Sequence, residues 1–272
     1  MSARTFALAA FAALACASCR SSGDSRSPAL DVAAAALDLG EVAAVERALE
    51  PQLADGAPEW SAEERFWSCW LLAQAKALKA LDLSGTGQAD ALQERTALEV
   101  NAAYFAGLAA NAALRTSGGS HAPGDPELSF DEAVVGLELL RVSLLERLGF
   151  SERAQWRAAQ IPGLSSADEI AAEVGHSGLH ERLHARVWWA LFQERSRRDP
   201  ATAFPFAVAA LRAADAEPGA LDAQEVRGVE RWIQQGTPYG YRCPECRQAA
   251  IPELRGCPND QTPLERFEPS PN

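Results

Sequence analysis

The sequence predicts a mainly α-helical chain: an array or bundle of antiparallel helical hairpins, followed by a small C-terminal module of different composition. Three observations predict it. Alanine and leucine dominate while β-branched residues are sparse, and such side chains lose little entropy in a helix. Apolar residues recur at helical spacing behind serine–glutamate capping pairs. Beyond residue 236 the chain turns abruptly to cysteine, proline and glycine. With 272 residues, 47% of them hydrophobic, the chain can bury a sizeable core. The formal net charge of −12, from 37 acidic and 25 basic residues, comes without a basic stripe and argues against a nucleic-acid partner.

At the N-terminus, Arg4 precedes an apolar, small-residue run from Phe6 to Ala15, and then come Cys16 and Cys19. A short positive region and a core too short to span a bilayer are the makings of an export signal. Leu14-Ala15-Cys16 resembles the lipobox of bacterial lipoproteins, in which the cysteine is acylated and becomes the first residue. Ala17-Ser18-Cys19 is the alternative, so the lipidated residue is Cys16 or Cys19. The resemblance implies residues 1–18 as signal peptide and a bilayer as partner through N-terminal acyl chains, in the bacterial cell envelope. The polar stretch RSSGDSRSP that follows reads as a flexible tether over 19–28. No later run is long and apolar enough for a transmembrane helix.

Residues 29–235 read as an α-helical domain. Ser61–Glu64, Ser129–Glu132 and Ser166–Glu169 each have the spacing of a capping box. Behind Ser129 the stripe Phe130, Ala133, Val134, Leu137, Leu140, Leu144, Leu145, Leu148 has helical period, and Gly149 closes it. Behind Ser61 the stripe is Trp67, Trp70, Leu71, Leu78, Leu81, with Cys69 as a small buried hydrophobe. A long helix is expected over 88–115, a loop over Gly118–Pro126, and breaks at Asp38-Leu39-Gly40 and Pro162-Gly163. This succession is loosely similar in architecture to tetratricopeptide-type repeats, although no 34-residue period runs through it. The tryptophans invite two readings. Trp67 with Trp70, or Trp188 with Trp189, could line a groove for a ligand. Core filling between helices is the simpler account.

His176, His180 and His184 recur at intervals of four, and residues 180–184 read His-Glu-Arg-Leu-His. This matches H-E-x-x-H, the signature of zincin metallopeptidases. On a helix, His180 and His184 would share a face and grip Zn²⁺, with Glu181 as general base. Arg182 and Arg186 stand where that family carries uncharged or apolar residues, and Val187 and Ala190 replace the metzincin extension. Glu217, Glu225 and Glu230 are the available third ligands.

After a hinge at 236–241, residues 242–267 contain Cys243-Pro-Glu-Cys246 and Cys257-Pro-Asn-Asp260. Two such knuckles resemble the C-P-x-C…C-P-x-D version of a zinc ribbon. That likeness implies a structural Zn²⁺ held by Cys243, Cys246, Cys257 and Asp260. Asp in the fourth place and Gln261 after it depart from the pattern, and an oxidising compartment could pair two of the thiols instead. Residues 268–272 read as a disordered tail.

Together these features point to a membrane-anchored envelope lipoprotein with a helical scaffold, a non-enzymatic module for an unidentified protein or peptide partner. The alternative is a zinc-dependent metallopeptidase built on His180, Glu181 and His184. A third reading is a metal-binding envelope protein using the cysteine and histidine clusters.

Overall fold

The computed structural model describes residues 27–53, 60–83, 89–116, 120–161, 167–199, 202–234, 241–242, 249–250 and 265–266. Among them are ten α-helices: α1 Pro28–Asp38, α2 Val42–Leu53, α3 Ala62–Asp82, α4 Ala89–Ala113, α5 Phe130–Arg147, α6 Ser151–Ala158, α7 Ala167–His176, α8 His184–Arg198, α9 Phe204–Ala216 and α10 Ala223–Gln234. The chain is mainly α, as its composition predicts.

Local chemistry sets the helix ends. The Glu64 N–H donates to Ser61 Oγ at 3.1 Å while the Ser61 N–H donates to Glu64 Oε2 at 3.0 Å. Ser129 and Glu132 repeat the exchange at 3.3 and 2.8 Å, so two of the three expected capping boxes form. Ser166 of the third lies outside the described residues. Gly40 and Gly149 stop α1 and α5 with φ of 69° and 80°, where a side chain would be strained.

The helices pack largely with their sequence neighbours. α1 and α2 pair and lie on α3, α4 runs along α3, α5 lies against α4, and α8, α9 and α10 follow one another. α3 is the central element: Phe66 to Ala75 are all buried, which a helix tolerates only when enclosed on every side. Phe66, Trp67 and Phe130 form an aromatic nucleus between α3 and α5, with centroids 4.5 Å apart for Phe66 and Phe130. Cys69 is wholly buried there, and its thiol is pushed up to about 12, so it behaves as a small hydrophobe.

A buried ion network ties α4, α5, α8 and α10 together. Arg186 donates to both Glu225 oxygens at 2.8 and 2.9 Å, and Arg147 reaches Glu225 as well as Glu99. Arg95 bonds Glu99 at 3.2 Å. Burial pushes the Glu99 and Glu225 carboxyls upward and the arginines oppose it. Removing one partner from such a group typically costs about 3–5 kcal/mol, because a buried charge is left behind.

One expectation needs correcting. Within the segment expected as a loop, His121–Ala122 (β1) pairs antiparallel with Asp125–Ser129 (β2), with Gly124 turning at φ 78°. Asp125 Oδ1 accepts the Glu127 and Leu128 N–H groups and fixes the turn. Strands this short have too few residues to show an alternating pattern in sequence. Near the C-terminus, Tyr241–Arg242 (β3) pairs antiparallel with Ala249–Ala250 (β4) and Glu265–Arg266 (β5). Among the described residues, no helix is long and apolar enough to cross a membrane.

Between α7 and α8 the chain runs through Ser177–His180 without helix and presses on α5. A Cβ built on Gly136 would stand 2.3 Å from the Ser177 carbonyl oxygen, and one on Gly178 (φ 66°) would stand 2.1 Å from Leu128 Cδ2. Gly136→Ala should therefore lower stability by about 1–3 kcal/mol, the usual cost of overpacking. Gly178→Ala should also destabilise, through clash and backbone strain together. Denaturant melts of the three proteins check both, and a neutral Gly136→Ala would contradict the close approach.

Candidate functional site

Three residues singled out from the sequence, Trp67, Trp70 and His180, line a cleft between α1, α3, the β1–β2 hairpin and the 178–180 segment. α1 contributes Ala34, Leu37 and Asp38; α3 contributes Trp67, Trp70, Leu71 and Gln74. The hairpin adds Asp125 and Leu128, and His180 closes the far side of a cavity of about 190 Å³. Trp67 and Trp70 are each 1% exposed, so they serve in the core and as cleft walls at once. Core filling is the sequence reading of this pair that burial bears out.

Gln74 positions the site. Fully buried on α3, it accepts the His180 N–H at 2.7 Å through Oε1 and donates to the Gly178 carbonyl at 3.3 Å through Nε2. Ser177 supports the same stretch by donating its hydroxyl to the Val174 carbonyl at 2.8 Å. A buried irregular backbone needs such partners, since unpaired N–H and C=O groups are costly there.

This local structure differs from the expected helical H-E-x-x-H. His180 is the N-cap of a single 3₁₀ turn, Glu181–Leu183, and α8 begins only at His184. The His180 Nδ1 accepts the Arg182 N–H at 3.3 Å, so a neutral ring carries its proton on Nε2. His184 Nε2 lies 3.1 Å from the Leu179 carbonyl oxygen, a group that can only accept, so this nitrogen is the donor. Arg182 turns to Asp82 at 2.6 Å, and Glu181 is exposed. The shared helical face on which a zincin site depends is thus replaced by a turn in which both imidazoles bond to backbone. The physical cause is Gly178: its left-handed backbone, pinned by Gln74, redirects the chain just before His180. Of the possible third ligands, Glu225 is held by Arg147 and Arg186, while Glu217 lies near enough to influence both imidazoles. Among the described residues, no three His, Cys, Asp or Glu side chains are grouped to hold a metal ion. The lipidation candidates Cys16 and Cys19, and the zinc-ligand candidates Cys243, Cys246, Cys257 and Asp260, lie outside the described residues.

Electrostatically the cleft is acidic at its edge and neutral inside. Asp38 and Asp125 are the charged residues of its lining, which contains no lysine or arginine among the described residues. The Trp67 indole N–H is buried and has no hydrogen-bond partner among the described residues. Sequence reasoning marked Trp67, Trp70 and His180 but missed Gln74, Asp38 and Asp125. Gln74 did leave a signal: it is a polar residue inside the run Leu71-Leu72-Ala73-Gln74-Ala75.

Burial pulls both imidazoles below the usual histidine range. For His180, Arg182 adds to the effect while Glu181, Asp38 and Glu217 oppose it. For His184, the Leu179 carbonyl, Glu181 and Glu217 oppose it, and His180 adds. Unfolded imidazoles take up protons near pH 6.5, whereas these folded ones resist, so their neutral burial contributes full stability above about pH 6.5. That stability is lost as pH falls through the folded values. The melting temperature should drop between about pH 7.5 and 5.5, and drop less steeply in His184→Asn. Parallel slopes for the two proteins would remove this assignment.

No family model, no curated protein and no solved structure matches this chain, so the cleft is interpreted from its own residues.

Proposed function

We propose that this protein is a membrane-anchored envelope lipoprotein whose helical scaffold binds a protein or peptide partner without catalysing a reaction. The observation that carries the binding part is the cleft itself. It joins two buried tryptophans of α3 with carboxylates of α1 and the hairpin, against a 178–180 wall that Gln74 fixes to α3. Apolar walls with a few fixed polar groups are the makings of a recognition site. The His180 imidazole there is neutral and already bonded to backbone, which suits a positioning role.

The address rests on the N-terminal run, which looks like a lipobox at Cys16 or Cys19 ahead of a polar tether. The C-terminal module is read as a structural zinc knuckle. Three thiolates and one carboxylate, Cys243, Cys246, Cys257 and Asp260, form a donor set suited to tetrahedral Zn²⁺. Cys243 and Cys246 fall in the chain between β3 and β4, and Cys257 and Asp260 between β4 and β5, as two knuckles of a small sheet would. Bound zinc would supply folding energy that so short a segment cannot gain from its own core.

Three measurements check the parts separately. Intact mass of the membrane-extracted protein should show acyl chains on Cys16 or Cys19 and loss of the preceding residues. Full-length unacylated chain in the cytosol would overturn the address. Purified protein should contain one zinc per chain, lost in Cys243→Ser. For binding, a photo-crosslinking residue at exposed Leu39, beside the cleft, should yield a discrete adduct in cells, while one at exposed Trp156 on α6 should not. Absence of an adduct at Leu39 counts against the cleft.

A further inference from the structure

We infer that the outer face of α4 pairs two copies of this chain, antiparallel, about a two-fold axis between residues 100 and 104. The face lies apart from the cleft, which α1, α3, the hairpin and the 178–180 segment enclose.

Sequence and exposure locate the face. α4 packs on α3 and α5, and its Ala102, Ala106 and Ala109 are wholly buried. On the opposite side Gln93, Ala97, Val100, Tyr104, Gly107 and Asn111 follow one another in alternating steps of four and three. That spacing is the seam along which two helices pair. Val100 and Tyr104, at its middle, are 50% and 60% exposed. From Thr96 to Leu114 the one charged side chain is Glu99, which is buried against Arg95 and Arg147. In a chain that is 23% charged, an uncharged helix surface about 27 Å long has the composition of an interface centre.

Gly107 is a second, separate observation. A Cβ built there meets nothing within 4 Å among the described residues, and its backbone is not left-handed. Glycine inside a helix costs backbone entropy, and here neither packing nor conformation asks for it. At an open position a missing side chain provides room for another backbone to come close.

Charge names the occupant. Two chains of net charge −12 repel over most of their surface, so a second copy meets least opposition on this face. Its ends carry opposite signs: Asp90 and Glu94 are exposed near the start of α4, and Arg115 is exposed just past its end. Antiparallel pairing brings each acidic end to the other copy's Arg115, whereas parallel pairing sets like charges together. The same two-fold axis sets Val100 against the second copy's Tyr104, Ala97 against its Gly107 and Gln93 against its Asn111. Apolar pairs thus fill the centre, small residues let the backbones close on either side, and amides bond each other toward the ends. A seam about 27 Å long and one helix wide covers less than the roughly 800 Å² each partner gives a stable complex. The pairing is therefore reversible and follows concentration.

The test is sedimentation of the full detergent-extracted protein, with the micelle density-matched, over about 5–500 µM. A monomer–dimer equilibrium should appear, and should weaken about tenfold or more in Tyr104→Arg, which sets like charges across the axis. Micelle and anchor are the same in both proteins, so chance sharing of a micelle would show no difference. Gly107→Gln separates pairing from folding. It should weaken the dimer about tenfold while the melting temperature of the dilute protein holds or rises, since glutamine is the better helix former. Arg115→Glu should weaken the dimer as well, and adding Asp90→Lys with Glu94→Lys should restore it. A monomer up to about 500 µM, a dimer indifferent to Tyr104→Arg or Gly107→Gln, or no recovery in the charge-swapped variant overturns the inference. The cleft reading survives that failure, because its adduct at Leu39 is made elsewhere on the molecule.

Discussion

A stretch of irregular backbone enclosed by helices must find partners for its own N–H and C=O groups, and residues 177–180 meet this demand through the side chains of Gln74, Ser177 and His184. Gln74, with no exposed surface, bonds to His180 and Gly178 at once. Gly136 lets the stretch approach α5 to a distance that no other residue would permit. From this single constraint follow the 3₁₀ turn, the start of α8 at His184, the separation of the two histidines from a common helical face, and the fourth wall of the cleft. A glutamine is well suited to the task because its amide offers both an acceptor and donors without adding charge to the interior.

The interior charges lie elsewhere and follow a different logic. Arg95, Arg147 and Arg186 meet Glu99, Asp222 and Glu225 where α4, α5, α8 and α10 come together. Buried ion pairs of this kind recover their desolvation cost only when matched, so they reward one arrangement of helices above others. A partly exposed contact, Arg197 with both oxygens of Glu146 at 2.7 and 2.6 Å, also fastens α8 to α5. α5 is thus held by charge toward α8 and by the aromatic nucleus toward α3. The cleft sits on the aromatic side, and its edge carboxylates, unlike these, pair with no arginine among the described residues.

In the proposed reading, three parts of the chain divide the physical duties. An acylated N-terminus would supply location at little structural cost, because a polar tether transmits attachment without dictating orientation. The helical body supplies a rigid surface, since packed helices hold the cleft walls on separate elements. A metal knuckle at the far end would stabilise a segment too short to fold by burial alone.

Sequence alone determined what depends on neighbours three or four residues apart. The helices, the capping boxes at Ser61 and Ser129, the glycine stop at Gly149 and the burial of Cys69 were all legible, because helix hydrogen bonds and caps close within one turn. The tertiary structure decided what depends on residues far apart in the chain. The Gln74–His180 bond spans 106 residues and the Arg147–Glu225 pair 78, and no local pattern encodes either. His180 was picked out by a motif whose chemistry needs a helix, and a distant side chain had already set its backbone to a turn. Asp38 and Asp125 looked like ordinary turn residues until packing brought α1 and the hairpin to the same cavity. The cleft is therefore a property of the assembled helices, whereas the helices themselves are a property of the sequence.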